Sequence, residues 1–382
     1  MSFRLSRPGF RASQQATLFP MSSPSAVAWP DAQRREAFER WLAAIAPRHG
    51  LQPATLAPAS ADASFRRYFR ATFGDGSTRI VMDAPPSHED CRPFVGVAGL
   101  LAAHDVNVPE ILAQDLEQGF LLLEDFGNTL LSQVLDADNV DAWYGLAMNQ
   151  IIHMQKAPTS GEAWSLPPYD HERLLTEMRL FDQWFIPKFL GLELSDAEQH
   201  LMDTTYDMLA KQALMQPQVF VHRDYHCRNL MVTDREGKDI NALGVIDFQD
   251  ALVGAVTYDL VSLLRDAYVQ WPTERVHAWV HTFWQRAQIQ GLIPSVPQAQ
   301  FMQWFDWMGA QRHLKILGIF VRLSQRDGKH GYLPNLPLVL YYLIHEIKAY
   351  PELAAFAAWL QDRIVPAFVA KVPESQALLE SA

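Results

Sequence analysis

Cysteine is scarce. The only two, Cys91 and Cys227, belong to no CxxC pair, which excludes a disulfide framework and a cysteine zinc site and fits a reducing cytoplasm. Positive charge is also in deficit: 32 Lys and Arg against 43 Asp and Glu leave a formal net charge of -11. That argues against a nucleic-acid partner, whose footprint is a basic patch or stripe, without excluding a local cationic pocket. No apolar run approaches the length of a membrane span, so no membrane partner is expected. Internal repeats and low-complexity segments are missing as well. The first twenty residues hold Arg4, Arg7 and Arg11 but no acidic residue. They lack an apolar h-region and a small-residue cleavage site, so residues 1–30 are read as a disordered leader rather than a transit peptide, with Met21 as an alternative start.

What is present suffices for a large core. Apolar residues make up 49% of the 382 residues and charged ones 20%, a length that suits two domains or one domain of two lobes. Phe38, Trp41, Leu42 and Ile45 share one helical face, and Gly50 stands where a C-cap is wanted. FRRYFRATF and TRIVM flank a Gly-Asp-Gly turn and predict a hairpin. A helix over Arg92 to His104 and strands in NVPEILAQD and GFLLLEDFG complete a small lobe at 31–126. Beyond Phe126 the apolar spacing turns helical over Asp141 to Gln155, Asp170 to Phe189 and Ser195 to Met215, and helices resume from Tyr258. The expected fold class is α+β and bilobal, with a small β-containing lobe and an α-rich lobe at 127–382.

The chemistry is concentrated in VFVHRDYHCRNLMV, Val219 to Val232, and ALGVIDFQDA, Ala242 to Ala251. Phosphoryl transfer needs magnesium to bind and neutralise the phosphates, and a carboxylate to orient the attacking hydroxyl. Asp224 and, five residues on, Asn229 let one carboxylate face an acceptor while an amide oxygen reaches a metal. Asp247, ending a short apolar strand, would fix a second magnesium ligand; oxygen ligands suit a hard cation.

HRDYHCRN resembles the kinase catalytic loop H-R-D-x-x-x-x-N, and IDFQD resembles the D-F-G metal site. GVIDFQDALVGAVTYDLVSLLRD is similar to the aminoglycoside phosphotransferase and choline kinase superfamily, in which a short loop joins the metal Asp to a Tyr-Asp-Leu helix start. With SADASFRRYFR, VMDAPP, LLLEDFGNTLL and QRHLKILGIFVRLSQRDGKHGYL, the chain resembles one bacterial branch: the anomeric kinases that phosphorylate N-acetylmuramate and N-acetylglucosamine at the 1-hydroxyl in cell-wall recycling. The resemblance implies a protein-kinase-like fold, a cytoplasmic enzyme, ATP as phosphoryl donor, magnesium as cofactor, an amino sugar as acceptor and no obligate protein partner. It implies Asp224 as catalytic base, Asn229 and Asp247 as metal ligands, Glu124, Asp125 and Phe126 as the adenine-binding hinge, and Ser64, Arg66 and Arg67 as phosphate contacts. Two departures stand out. The third strand ends in Met82 and Asp83 where kinases keep a lysine, leaving Arg66, Arg67 or Arg79 to supply the cation, and the phosphate loop has no glycines.

Other residues carry plainer readings. His222 braces the catalytic loop, Asp259 anchors it or caps the next helix, His226 and Cys227 pack locally, and His153 is a satisfied core histidine. Trp304, Phe305, Trp307 and Met308 are core. Asp250 is read as touching metal or substrate. Arg265, Arg312 and Lys315 either grip the lactyl carboxylate of N-acetylmuramate or pair with Asp250, Asp266 or Asp306. Two other functions compete: a kinase of the same fold acting on an aminoglycoside or amino alcohol, and a nucleotide-binding pseudokinase suggested by the missing lysine.

Overall fold

The computed structural model describes residue 29 and residues 31–61, 65–234 and 240–382. Helix α1 (Ala32–His49) begins where the Asp31 side chain accepts from Arg34 N at 2.7 Å and ends at Gly50, whose φ of 62° needs no Cβ. It lies on a five-stranded antiparallel sheet of order β1-β2-β3-β5-β4, built from β1 (Leu51–Ala61), β2 (Arg67–Phe73), β3 (Thr78–Asp83), β4 (Ile111–Asp115) and β5 (Phe120–Glu124). Strand alternation distributes β5 to two cores. Phe120 and Leu122 pack under α1 with Phe38, Trp41 and Phe69, whereas Leu121 and Leu123 join Met82 against α2 (Arg92–Ala102).

Strand β1 lies in a stretch where the sequence reading placed none. Its Pro53 and Pro58 argue against a central strand, but β1 is an edge strand with register breaks after Gln52 and Pro58, where missing N–H donors are tolerated.

The helical part comprises α3 (Val140–Gln155), α4 (His171–Met178), α5 (Asp196–Met215), α6 (Tyr258–Leu264), α7 (Thr273–Ile289), α8 (Gln298–Asp327), α9 (Leu336–Ile347) and shorter C-terminal turns. The single helix expected over Asp170 to Phe189 is two: α4 stops at Met178 and a π-helical segment runs from Phe181 to Leu190, with Pro187 inside it. Helix α8 runs through the centre, and Phe305, Trp307, Met308, Leu314 and Leu317 are buried in the core.

Two short ribbons interrupt the helices. Strand β6 (Gln218–Val221) pairs with β9 (Leu252–Ala255), and β7 (Leu230–Val232) with β8 (Leu243–Val245). They bring the loop at 222–229 and the loop at 246–251 to one place, joined by Ile246 N donating to Asn229 O at 3.2 Å.

Near the C-terminus, the stretch Pro351–Lys371 is long and apolar enough to cross a membrane by length and composition, with a mean hydropathy of 1.3. Asp362 and Arg363 interrupt its apolar run, so no uninterrupted span stands out in the sequence. Leu353, Phe356, Leu360, Ile364 and Phe368 form a buried stripe on this stretch, seated against the body.

Candidate active site

The catalytic-loop sequence is held from beneath by a buried carboxylate. Asp259 Oδ2 accepts from His222 N at 2.8 Å and its Oδ1 from Arg223 N at 3.0 Å. These bonds secure a backbone that turns left-handed at Arg223, with φ of 80°. Burial pushes the Asp259 carboxyl up to about 7 against the pull of both N–H groups. His222 Nε2 donates to Ile246 O at 3.0 Å while its Nδ1 accepts from Asp224 N at 3.3 Å, which fixes one neutral tautomer. Asn229 Nδ2 donates to Asp224 O at 3.0 Å and to Asp247 Oδ2 at 3.3 Å. Its amide hydrogens are thus committed, leaving Oδ1 as an oxygen ligand. Asp247, with φ of 65°, also accepts from Gln249 Nε2 at 2.9 Å, and the adjacent Phe248 is fully buried against Phe94 of α2.

The surroundings of Asp224 are cationic although the chain is acidic. Burial raises its carboxyl, but Lys315, Arg312, His226 and Arg223 outweigh that and hold it down to about 2. Arg223 donates to Glu177, whose other oxygen takes Lys315 Nζ at 3.2 Å and the Tyr169 hydroxyl. Lys315 also donates to Tyr258 Oη at 3.2 Å, and Arg312 Nη1 to Arg223 O at 3.2 Å. Glu177, Tyr169 and Tyr258 were missed as site residues. Glu177 is 46 residues from Arg223, and no local spacing announces such a pair.

On the sheet side, strand parity separates neighbours. Arg66 reaches into the cleft, with Nη2 3.4 Å from Asp247 Oδ1. Arg67 points the other way, donating to the fully buried Asp83 and stacking over Trp29 at 4.3 Å. Arg34 Nε of α1 joins it on Asp83 at 2.9 Å, so the acid at the end of β3 belongs to the outer face of the sheet. Ser64 lies outside the described residues.

In the segment expected to be the hinge, Arg70 binds Asp125 Oδ1 at 2.9 Å, Gly127 O at 3.0 Å and Asn128 Oδ1 at 2.6 Å. Burial raises the Asp125 carboxyl, but Arg70, Thr78 and the Gly127 N–H prevail and hold it below the usual carboxylate range. The Asp125 side chain is thereby engaged in holding the 125–128 turn. Glu124 accepts from Glu110 N at 3.3 Å. The Phe126 ring rests on Gly244 of β8, where a Cβ would come within 2.5 Å of it.

The three residues put forward for substrate binding separate. Asp250 is exposed on the turn after Asp247. Arg312 stays beside Asp224, on the backbone of Arg223. Arg265 sits in a buried network: Nη2 meets Asp306 Oδ1 at 2.7 Å, Nη1 meets Glu346 Oε1 at 3.0 Å, and the guanidinium covers Phe305. His313 Nδ1 and Glu346 Oε2 are 2.9 Å apart in the same network, so its acids keep the Arg265 guanidinium occupied. Cys227 Sγ donates to Asp266 at 2.9 Å, and burial pushes its thiol up, out of reactive range.

Among the described residues, no group of three or more His, Cys, Asp or Glu side chains gathers as a metal site. Asn229 and Asp247 fit a cation that takes few protein oxygens and completes its shell with phosphate and water, as magnesium does. Two surface concavities, of about 720 and 510 Å³, lie elsewhere. The first is bordered by Lys188, Gln325 and Lys371, the second by Trp29, Phe38 and Leu56. The convergence of polar groups, rather than volume, locates the site.

The chain is 49% identical over 303 residues to the N-acetylmuramate/N-acetylglucosamine kinase of Pseudomonas aeruginosa, covering 79% of this chain and 86% of that protein. It is 44% identical over 338 residues to the protein of the same name from Neisseria meningitidis serogroup B, covering 87% and 96%. The ADP-bound aminoglycoside phosphotransferase APH(2'')-Ib has the same fold at 14% identity, with a TM-score of 0.54 over 81% of this chain and 97% of that one. The model of the phosphotransferase enzyme family matches residues 55–298, which span residues 124–126, the 222–229 loop and Asp247, and the chain belongs to that family.

Proposed function

We propose that this phosphotransferase moves the γ-phosphoryl group of ATP to the anomeric C1 hydroxyl of N-acetylmuramate and N-acetylglucosamine, giving the sugar 1-phosphate and ADP, in cytoplasmic peptidoglycan recycling. The relatives named as kinases of those two sugars support the acceptor class. The observation that carries the reading is the charged cluster around Asp224, with Arg223, Arg312 and Lys315. Glu177 takes up Arg223 and Lys315, which leaves Arg312 as the cation beside Asp224 with no ion pair to a carboxylate among the described residues, and this suits a neutral or anionic acceptor better than the ammonium groups of an aminoglycoside or amino alcohol. The pseudokinase reading loses ground because a pure binder has no use for an aligned Asp224, Asn229 and Asp247.

In this reading the lobes divide at residue 126, nucleotide lies against the hinge, and Arg66 contacts its phosphates. Asn229 and Asp247 would hold magnesium, which supplies charge neutralisation on the phosphates. The sugar oxygen forms its bond to the γ-phosphorus as the bridging P–O bond to ADP breaks. Asp224 accepts the hydrogen bond of the attacking hydroxyl and so aims a lone pair at phosphorus. The neighbouring cations keep this carboxylate ionised against its burial, so it orients the hydroxyl and receives its proton late, as a loose transition state allows.

Phosphorus NMR of the product made from each sugar tests this. A sugar 1-phosphate is expected from the wild-type protein, with a rate loss of about 10²- to 10⁴-fold in Asp224→Asn. No turnover of either sugar by protein shown to bind ATP would discard the reading.

A further inference from the structure

Helix α8 carries three cations along one face, and the two beside Asp224 are engaged. Arg312 is on the Arg223 carbonyl, and Lys315 is on Glu177 and Tyr258. The third is Arg322, one heptad beyond Lys315. That spacing places it about 20° away around the helix and about 10 Å further along, and a helical side chain leans back toward the N-terminus. The same face of α8 is pressed on the end of α4 and the π-helical segment: Gly318 abuts Leu180, and Gln325 Nε2 donates to Lys188 O at 2.9 Å. Half-buried Ile319 lies between Lys315 and Arg322.

Arg322 is half-buried, and its Nε is buried with no hydrogen-bond partner among the described residues. The charges that act on it are Arg326 and Asp327 at the helix end, which pair with each other at 2.7 Å. A guanidinium taken partly out of water without a carboxylate is costly, and its rigid fork matches a planar oxyanion. Arg228 differs: it is exposed, stacked over Tyr268 at 4.3 Å and open to water. A sugar with C1 at Asp224, as proposed above, and its ring lying along α8 would bring the substituents of its far side toward Arg322.

We infer that Arg322 binds the lactyl carboxylate that N-acetylmuramate has and N-acetylglucosamine lacks, and so sets the preference between the two sugars; this rests on the sugar-kinase reading above. The test is steady-state kinetics of wild type, Arg322→Met and Arg322→Lys on both sugars. Arg322→Met is expected to raise KM for N-acetylmuramate about 10- to 100-fold. Its kcat should hold within about threefold and N-acetylglucosamine kinetics within about twofold, and Arg322→Lys should recover part of the loss. Turnover of N-acetylglucosamine in the same preparation shows that the variant is folded. An unchanged KM for N-acetylmuramate, an equal loss on both sugars, or a wild-type protein that turns over only N-acetylglucosamine overturns this assignment alone. A wild-type protein that turns over neither sugar removes the sugar-kinase reading, and this assignment with it.

Discussion

At His222, burial and hydrogen bonding favour one protonation state. Burial lowers the ring to about 4, while the ring donates from Nε2 to Ile246 and accepts at Nδ1 from the Asp224 amide. Its unfolded value is about 6.5. Between those values the unfolded chain takes up a proton that the folded one refuses. The contribution is therefore intact above pH 6.5 and is lost as pH falls toward 4, to roughly 3 kcal/mol. Urea unfolding at pH 7 and pH 4.5 should show this loss in the wild type and a smaller one in His222→Gln; identical pH dependence in both would clear the residue. The bracing role was legible because loop spacing is local. Arg265 was only half legible: Asp306 stood among its candidate partners, but Glu346, 81 residues away, did not. Arg66 and Arg67 were indistinguishable as text until strand register assigned them to opposite faces.

Among the elements, helices with caps and apolar stripes were read to within a few residues, as α1 and α5 illustrate. The strand with prolines was missed, and the break after Met178 was missed because periodicity continues through a π-helical turn. Helix packing gives a sharper test. A Cβ on Gly318 of α8 would come within 2.2 Å of the Leu180 carbonyl, and that backbone cannot swing aside. Gly99 of α2 has nothing within 4 Å. Gly318→Ala should therefore cost about 2–3 kcal/mol of unfolding free energy. Gly99→Ala should add up to about 1 kcal/mol through helix propensity. Denaturant midpoints of the two variants are expected to move in opposite directions, and a shared direction would contradict the packing described for α8.

For the molecule as a whole, the contact between Arg66 and Asp247 crosses from the sheet to the helical part. Arg66→Gln is expected to lower kcat/KM for ATP about 10- to 100-fold. The unfolding midpoint should scarcely move, because a pair with a part-exposed carboxylate adds little stability. A large drop in stability with unchanged kinetics would make the arginine a strut rather than a phosphate contact. The bilobal plan and the residues of the two loops were legible because each depends on a short run of sequence. The charged cluster around Asp224 was not, since it draws Glu177, Arg223, Arg312 and Lys315 from three distant segments.

The seat of Phe126 on Gly244 ties two segments together. The ring bears directly on the backbone of β8, and Asp247 stands three residues further along the same chain. With no side chain between ring and strand, there is little slack to absorb a rocking sheet. If a nucleotide is held at residues 124–126 as proposed, a shift of the sheet would pass through this contact toward Asp247, so that gripping one substrate and setting the geometry for the next would be a single stroke.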